Sequence, residues 1–160
     1  MSTTAPVAGA AFLLTQLGTH AAQRYAERVG EHGLTPPQTG ILRLLRTSAG
    51  MSQQQLAKTL GMMPSRVVVL IDELEAMKLV ERTRHGTDRR RNALALTKQG
   101  DAALRTIARE ARDHEDEITA ALSDGERATL VDLLTRIADQ QGLTPGVHPG
   151  YRTLRPDASR

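Results

Sequence analysis

Along most of this chain apolar residues recur at intervals of three and four, the spacing that lays one stripe along an α-helix. From Ala8 to about His32 the stripe is Leu14, Leu17, Ala21, Tyr25 and Val29, and Gly33 ends the run. Thr35-Pro36-Pro37-Gln38 then combines an N-cap, a proline at the first helical position and a Gln three residues on. That is a capping-box start, and Ile41, Leu42, Leu44 and Leu45 fill the second helix, which stops near Ala49-Gly50. Ser52-Gln53-Gln54-Gln55 repeats the signal and opens a short helix that ends at Leu60-Gly61. Pro64 begins another, with Val67, Leu70, Ile71 and Leu74 on one face.

The period then changes. Glu81 to Thr97 reads as two short strands joined by a Gly-Thr-Asp turn, and helical spacing resumes only after Thr97, a further N-cap. Leu104, Ile107, Ala111, Ile118 and Leu122 line a long helix. Ser123-Asp124-Gly125-Glu126 caps a last one, with Leu130, Leu133, Leu134 and Ile137, that ends near Gly142. The Pro- and Gly-rich stretch from Thr144 onward is expected to form a loose arm. The fold class this predicts is mainly α (α+β): a helix-turn-helix with a two-stranded wing, flanked by N- and C-terminal helices.

Charge sharpens the picture. Between Glu81 and Arg91 five arginines face two carboxylates, a net of +3 that equals the formal excess of the whole 160-residue chain. A charge placed so narrowly is an electrostatic footprint for a polyanion. Two short helices joined through Leu60-Gly61-Met62-Met63 match the tight turn of a helix-turn-helix, whose second helix enters the major groove of DNA. Burying Val67, Leu70, Ile71 and Leu74 leaves Ser65, Arg66, Val68 and Val69 near the opposite face. Ser65 and Arg66 suit phosphates or guanine edges, and Val68 and Val69 suit thymine methyls. Helix N-termini around Gln38 and Gln53 are positioned to donate backbone N–H groups to phosphates. The wing's Arg84, Arg89, Arg90 and Arg91 suit an adjacent minor groove, which attracts arginine when narrow. Asp88 lies two residues before Arg90, on the same side of an extended strand, where its carboxylate can hold that guanidinium.

Either feature alone has a plain structural explanation, an ordinary helical hairpin or a solvated charged loop; their adjacency favours duplex DNA. The rival reading is a winged-helix module that docks on acidic protein or RNA. Other classes recede. With no cysteine the chain has no disulfide, thiolate nucleophile or thiol redox sensor. No nucleophile elbow or phosphate-binding glycine loop occurs, so no enzyme and no cofactor are expected. The longest apolar runs fall far below the roughly 20 residues of a membrane span. The N-terminus lacks a basic secretory n-region, so a cytoplasmic protein is expected. His114, between Ala111 and Ile118, lacks a second His one turn away and reads as a packing residue rather than a metal ligand. His20 and His32 read as surface residues.

The order of elements resembles the multiple-antibiotic-resistance regulator (MarR) family of bacterial winged helix-turn-helix transcription factors. The matches are Leu34-Thr35-Pro36-Pro37-Gln38, Leu56-Ala57 with Leu60-Gly61, Asp72-Glu73-Leu74-Glu75, and Leu79-Val80-Glu81-Arg82. The most specific is the wing signature Asp88-Arg89-Arg90, followed by Leu94-Ala95-Leu96-Thr97 and Gly100. The resemblance spans about Ala8 to Gly142. It implies a homodimer, more often a repressor, on a pseudo-palindromic operator. Residues 1–34 and 98–142 would then be dimerisation helices, 35–97 the DNA-binding lobe and 143–160 a flexible tail. It also implies that Arg90 enters the minor groove with Asp88 orienting it, and that a small aromatic or phenolic effector binds between the dimer helices and the lobe. Phe12, His20 and Tyr25 are the candidates there. This chain departs from the family pattern at Lys78, where a glycine is usual after the recognition helix, and at Val68 and Val69, where polar base readers are usual.

Overall fold

A computed structural model describes residues 9–84, 92–148 and 151, with only the backbone of Arg84 and Asn92. Its elements are α1 (Ala10–Gly30), α2 (Pro36–Thr47), α3 (Gln53–Leu60), α4 (Pro64–Ala76), β1 (Val80–Arg84), β2 (Asn92–Leu96), α5 (Lys98–Ile118) and α6 (Asp124–Gln140). Each begins where the apolar period and the caps place it, but α5 stops at Ile118, short of the Leu122 that its stripe was expected to include. At α3, Ser52 N–H donates to Gln55 Oε1 at 2.8 Å and Gln55 N–H to Ser52 Oγ at 3.2 Å. Two otherwise orphaned donors are thereby satisfied reciprocally. Gly61 closes the same helix at φ 65°, and Met62 and Met63 lead directly into Pro64.

The winged lobe surrounds one apolar core in which α2, α3, α4, the hairpin and α5 all take part. Ile41, Leu42, Leu45, Leu56, Val67, Ile71, Leu74 and Leu94 are fully buried in it. β1 and β2 pair antiparallel from Val80 opposite Leu96 to Arg84 opposite Asn92. Gly50 N–H donates to the Leu94 carbonyl at 3.1 Å and Leu94 N–H to the Met51 carbonyl at 2.9 Å, so the α2–α3 link completes the sheet edge.

The junction between recognition helix and wing is unusually tight. Lys78 adopts φ 59°, the left-handed conformation that a family glycine would take without strain. It lets Leu79 N–H reach the Leu74 carbonyl at 2.9 Å, closing α4. The Leu79 carbonyl in turn accepts from Thr97 N–H at 3.1 Å, and a Cβ on Gly100 would lie 1.9 Å from that oxygen. The wing-signature glycine therefore allows the backbone of α5 to pass against the root of β1.

The flanking helices behave differently. Only the C-terminal half of α1 packs on the lobe, with Val29 fully buried, whereas Phe12, Leu13, Leu14 and Leu17 are exposed. No residue of α6 is buried, and Leu130, Val131, Leu133, Leu134 and Ile137 face solvent. After α6 some of the described residues make contacts with the lobe. Arg43 Nη2 donates to the Gly146 carbonyl at 2.7 Å, Val147 and Tyr151 pack against the core, and Tyr151 Oη donates to the Pro36 carbonyl at 3.0 Å. Among the described residues of this segment, Gly146 and Tyr151 are held by partners more than a hundred residues away.

Candidate nucleic-acid interface

In α4 the buried positions Val67, Leu70, Ile71 and Leu74 define the inward face. Ser65, Val68 and Val69 consequently point outward and are exposed, Val69 by 54%. Arg66 is half-buried beside them, and its Nε has no hydrogen-bond partner. A cavity of about 270 Å³ opens at this point, lined by Thr35, Pro37, Arg66, Val69, Leu70 and Glu73. At the start of α3, Gln53 is half-buried with Nε2 likewise unpartnered. A buried donor left without an acceptor is costly, and phosphate oxygens are suitable acceptors. Two of the sequence-selected side chains, Gln53 and Arg66, each hold one such donor.

Gln38 does not join them. It is only 4% exposed, Thr35 N–H donates to its Oε1 at 2.9 Å, and its Nε2 donates to Glu73 Oε2 at 2.8 Å. The two residues before it, Pro36 and Pro37, have no N–H. The first turn of α2 therefore offers fewer backbone N–H donors than an ordinary helix start, that of Gln38 itself remaining. What Gln38 does is tie the start of α2 to α4, fixing the tilt of the recognition helix.

The wing is rooted by a residue the sequence reading counted only as charge. Arg82 Nη2 pairs with Asp72 and its Nη1 with Glu75, both on α4. One of the five hairpin arginines is thus consumed in fastening β1 to the recognition helix. It also offsets part of the negative charge of two carboxylates that would otherwise oppose a polyanion. The pairing escaped sequence reasoning because the partners lie seven and ten residues upstream across a turn. The strand pairing brings the backbones of Arg84 and Asn92 opposite each other. The Arg84 side chain and all of Asp88, Arg89, Arg90 and Arg91 lie outside the described residues.

The effector candidates are not gathered at one place. Phe12 is 61% exposed and thirteen residues before Tyr25, about 20 Å along the helix axis. His20 is exposed as well. Of the three only Tyr25 lies where α1, α2 and α5 meet: its Oη lies 3.2 Å from Thr39 Oγ1, and its ring sits 5.6 Å from that of His114. His114 Nδ1 is buried without a partner, and burial pushes its imidazole pKa down, helped by Arg28. Among the described residues no group of three or more metal-ligating side chains gathers there.

Beside this junction a belt of ion pairs joins α1 to α5. Arg24 Nη2 lies 3.0 Å from Glu117 Oε1, Arg28 also pairs with Glu117, and His32 Nε2 lies 3.0 Å from Glu110 Oε1. Hydrogen bonds from Arg28 and then Arg24 hold the Glu117 carboxyl below its ordinary range. Chiefly the bond to His32 does the same for Glu110. His32 is exposed, as its sequence context suggested, and it also braces the end of α1 against α5.

Comparison with known proteins bears on this geometry. Residues 32–91 match the sequence model of the MarR family. The chain is 36% identical over 113 residues to a Thauera aromatica protein described as a candidate transcriptional regulatory protein for the hcr operon, covering 71% of this chain and 68% of that one. Among solved structures it superposes on the transcriptional repressor CouR, bound to a 23-mer DNA duplex, with a TM-score of 0.71 and 33% identity, covering 81% of this chain and 92% of that one. It also superposes on the PcaV transcriptional regulator of Streptomyces coelicolor with a TM-score of 0.70 and 26% identity, covering 85% and 100%. No described helix is long and apolar enough to cross a membrane. The chain belongs to the MarR family, whose members are transcription regulators rather than enzymes.

Proposed function

We propose that this protein is a cytoplasmic, homodimeric repressor that binds a pseudo-palindromic operator in double-stranded DNA. The observation that carries the reading is the outward face of α4, where Ser65, Arg66, Val68 and Val69 stand beside an arginine-bearing hairpin fastened to the same helix by Arg82. Ser65 and Arg66 meet phosphate or guanine edges, the two valines meet thymine methyls, and Gln53 contacts the backbone. Arg84, Arg89, Arg90 and Arg91 serve the minor groove and its phosphates, with Asp88 holding Arg90.

Dimerisation is supported by the apolar faces of α1 and α6. Ten large side chains from Phe12 to Leu143 outside the lobe are each at least 36% exposed. Covering them at roughly 1 kcal/mol each gives on the order of 10 kcal/mol per chain, comparable to a stable association. Two recognition helices then stand about 34 Å apart, one turn of B-DNA. A small aromatic or phenolic effector entering beside Tyr25, where α1, α2 and α5 meet, shifts the lobes and releases the operator.

The test is footprinting on DNA upstream of the protein's own gene, followed by affinity measurement over a salt series. A protected palindrome with a log–log slope of about −0.9 per phosphate contact is expected. A flat salt response and equal affinity for scrambled duplex would overturn the reading in favour of a protein-docking module.

A further inference from the structure

One face of α2 is given over to the segment that follows α6. Pro36, Gly40 and Arg43 stand at i, i+4 and i+7, a single stripe along the helix, while Ile41, Leu42 and Leu45 take the core side. The returning chain is held at each position of the stripe. Arg43 Nη2 donates to the Gly146 carbonyl at 2.7 Å, and the Pro36 carbonyl accepts from Tyr151 Oη at 3.0 Å. Between them Gly40 leaves a notch that the Tyr151 ring fills, since a Cβ there would stand 3.0 Å from Tyr151 Oη and 3.3 Å from its Cε2. Glycine is disfavoured inside a helix, and here it makes the room the ring needs. Val147 and Tyr151 also pack against the core.

The turn that receives Tyr151 is the turn that steadies the recognition helix. Thr35 N–H donates to Gln38 Oε1 at 2.9 Å, and Gln38 Nε2 donates to Glu73 Oε2 on α4 at 2.8 Å. Thr39 Oγ1 donates to the Pro36 carbonyl at 2.8 Å, so Tyr151 shares its acceptor with a hydroxyl of the same turn. The chain thus leaves the lobe along α5, passes through α6, which has no buried residue, and is tied back to the lobe at α2. A single helical link bends and twists about its root; a second attachment away from that root removes the freedom. Tyr151 supplies the second attachment, and Pro36 and Gln38 carry it to α4.

We propose that Tyr151 is a positioning residue for operator recognition: docked in the Gly40 notch, it holds α4 at a fixed angle to the flanking helices and so sets the half-site spacing that the protein accepts. It touches no DNA itself. The proposal rests on the dimeric-operator reading above and adds to it a residue that decides which operators fit. With the tether in place each lobe keeps one pose, and half-sites out of register lose one of their two contacts. Without it the lobe samples several poses, so the correct spacing costs ordering and wrong spacings are better tolerated.

Three duplexes at one salt concentration test this: the footprinted operator, the same operator with one base pair inserted between its half-sites, and a single half-site. The insertion turns the half-sites by about 35° and parts them by about 3.4 Å. Tyr151→Ala should weaken operator binding roughly tenfold if the released lobe holds the competent pose about one-tenth of the time. Its preference for the operator over the inserted duplex should shrink by a similar factor, while half-site affinity and sedimentation as a dimer stay as in wild type. Tyr151→Phe keeps the ring in the notch and should restore most of the preference. Gly40→Val fills the notch and should match Tyr151→Ala, with no further loss in the double variant; should it fail to fold, Tyr151→Ala decides alone. A Tyr151→Ala protein with the wild-type spacing preference overturns the proposal, as does an equal loss on operator and half-site, the mark of simple damage to the lobe. A wild-type protein indifferent to the insertion would sink the dimeric-operator reading, and the role of the tether with it.

Discussion

Gly100→Ala isolates the contact that sets the wing against the recognition helix. The new Cβ would start 1.9 Å from the Leu79 carbonyl oxygen, 2.9 Å from its carbon and 3.2 Å from its Cα. All three are backbone atoms, so no rotamer change relieves the overlap. The carbonyl is also held by Thr97 N–H, and the preceding residue is Lys78 at φ 59°, already conformationally committed. Relief requires α5 and β1 to separate by more than an ångström, breaking the Leu79–Thr97 bond and loosening buried Leu79 and Leu94. Overpacking of this kind costs typically 1–3 kcal/mol, here at the upper end because backbone must move. Alanine recovers up to about 1 kcal/mol of helix propensity, leaving a net loss of about 2 kcal/mol. For a chain of this size that lowers Tm by roughly 4–8 °C, measured by the helical circular-dichroism signal at fixed protein concentration. Gly125→Ala, where nothing lies within 4 Å of the new Cβ, is the control and should not lose stability. A Gly100→Ala protein as stable as wild type would refute the close approach and the geometry of the junction built on it.

Arg90→Ala should weaken operator binding by roughly 1–3 kcal/mol in a fluorescence-anisotropy titration while the dimer persists; unchanged affinity would remove Arg90 from the interface. Leu17→Glu places a charge on the exposed stripe of α1 and should weaken self-association by on the order of 100-fold, read by sedimentation, with the lobe still folded. Lys78→Gly relieves a left-handed non-glycine residue and should raise Tm by up to about 2–4 °C; a fall would mean that the Lys78 side chain stabilises the turn. Glu117 and Glu110 have depressed carboxyl pKa values, so the stability they contribute is fully present above the unfolded value of 4.5 and is lost as pH falls through their lower folded values. Glu117→Gln should flatten acid denaturation in that window; an unchanged profile would mean that the Arg24 and Arg28 pairs contribute nothing.

What could be read in advance was whatever depends on neighbours within a few residues. The capping boxes at Ser52 and Ser123, the caps at Thr35 and Thr97 and the stripe Val67-Leu70-Ile71-Leu74 are local statements, and they place the starts of these helices. The outward face of α4 followed from the same stripe. Gln38 shows the limit. A residue can satisfy the helix-start pattern and still have its polar groups consumed by a partner 35 residues on, Glu73, which periodicity does not register. The Tyr151 anchor was hidden for the same reason: composition marks a Pro- and Gly-rich tail as unable to hold regular structure, but says nothing of a notch 111 residues away. The mid-helix glycine was the one available signal, since an unexplained cost inside a helix asks what fills the missing volume.

Net charge, which first pointed to DNA, is not the quantity that meets phosphate. Arg24, Arg28, Arg46, Arg82, Arg105 and Arg127 each lie within salt-bridge distance of a carboxylate. Their charge is largely cancelled within a few ångströms, and beyond a Debye length of about 8 Å such pairs contribute little. Arg82 makes the point sharply, because its single positive charge is spent between Asp72 and Glu75 and leaves that trio with a net negative charge. A polyanion approaching α4 therefore meets less opposing charge than the helix alone would present, with Glu73 beside Arg66 at the cavity. Internal pairing thus fixes the angle between helix and wing, and it spends the Arg82 charge on α4 rather than on the phosphates whose condensed counterions binding releases.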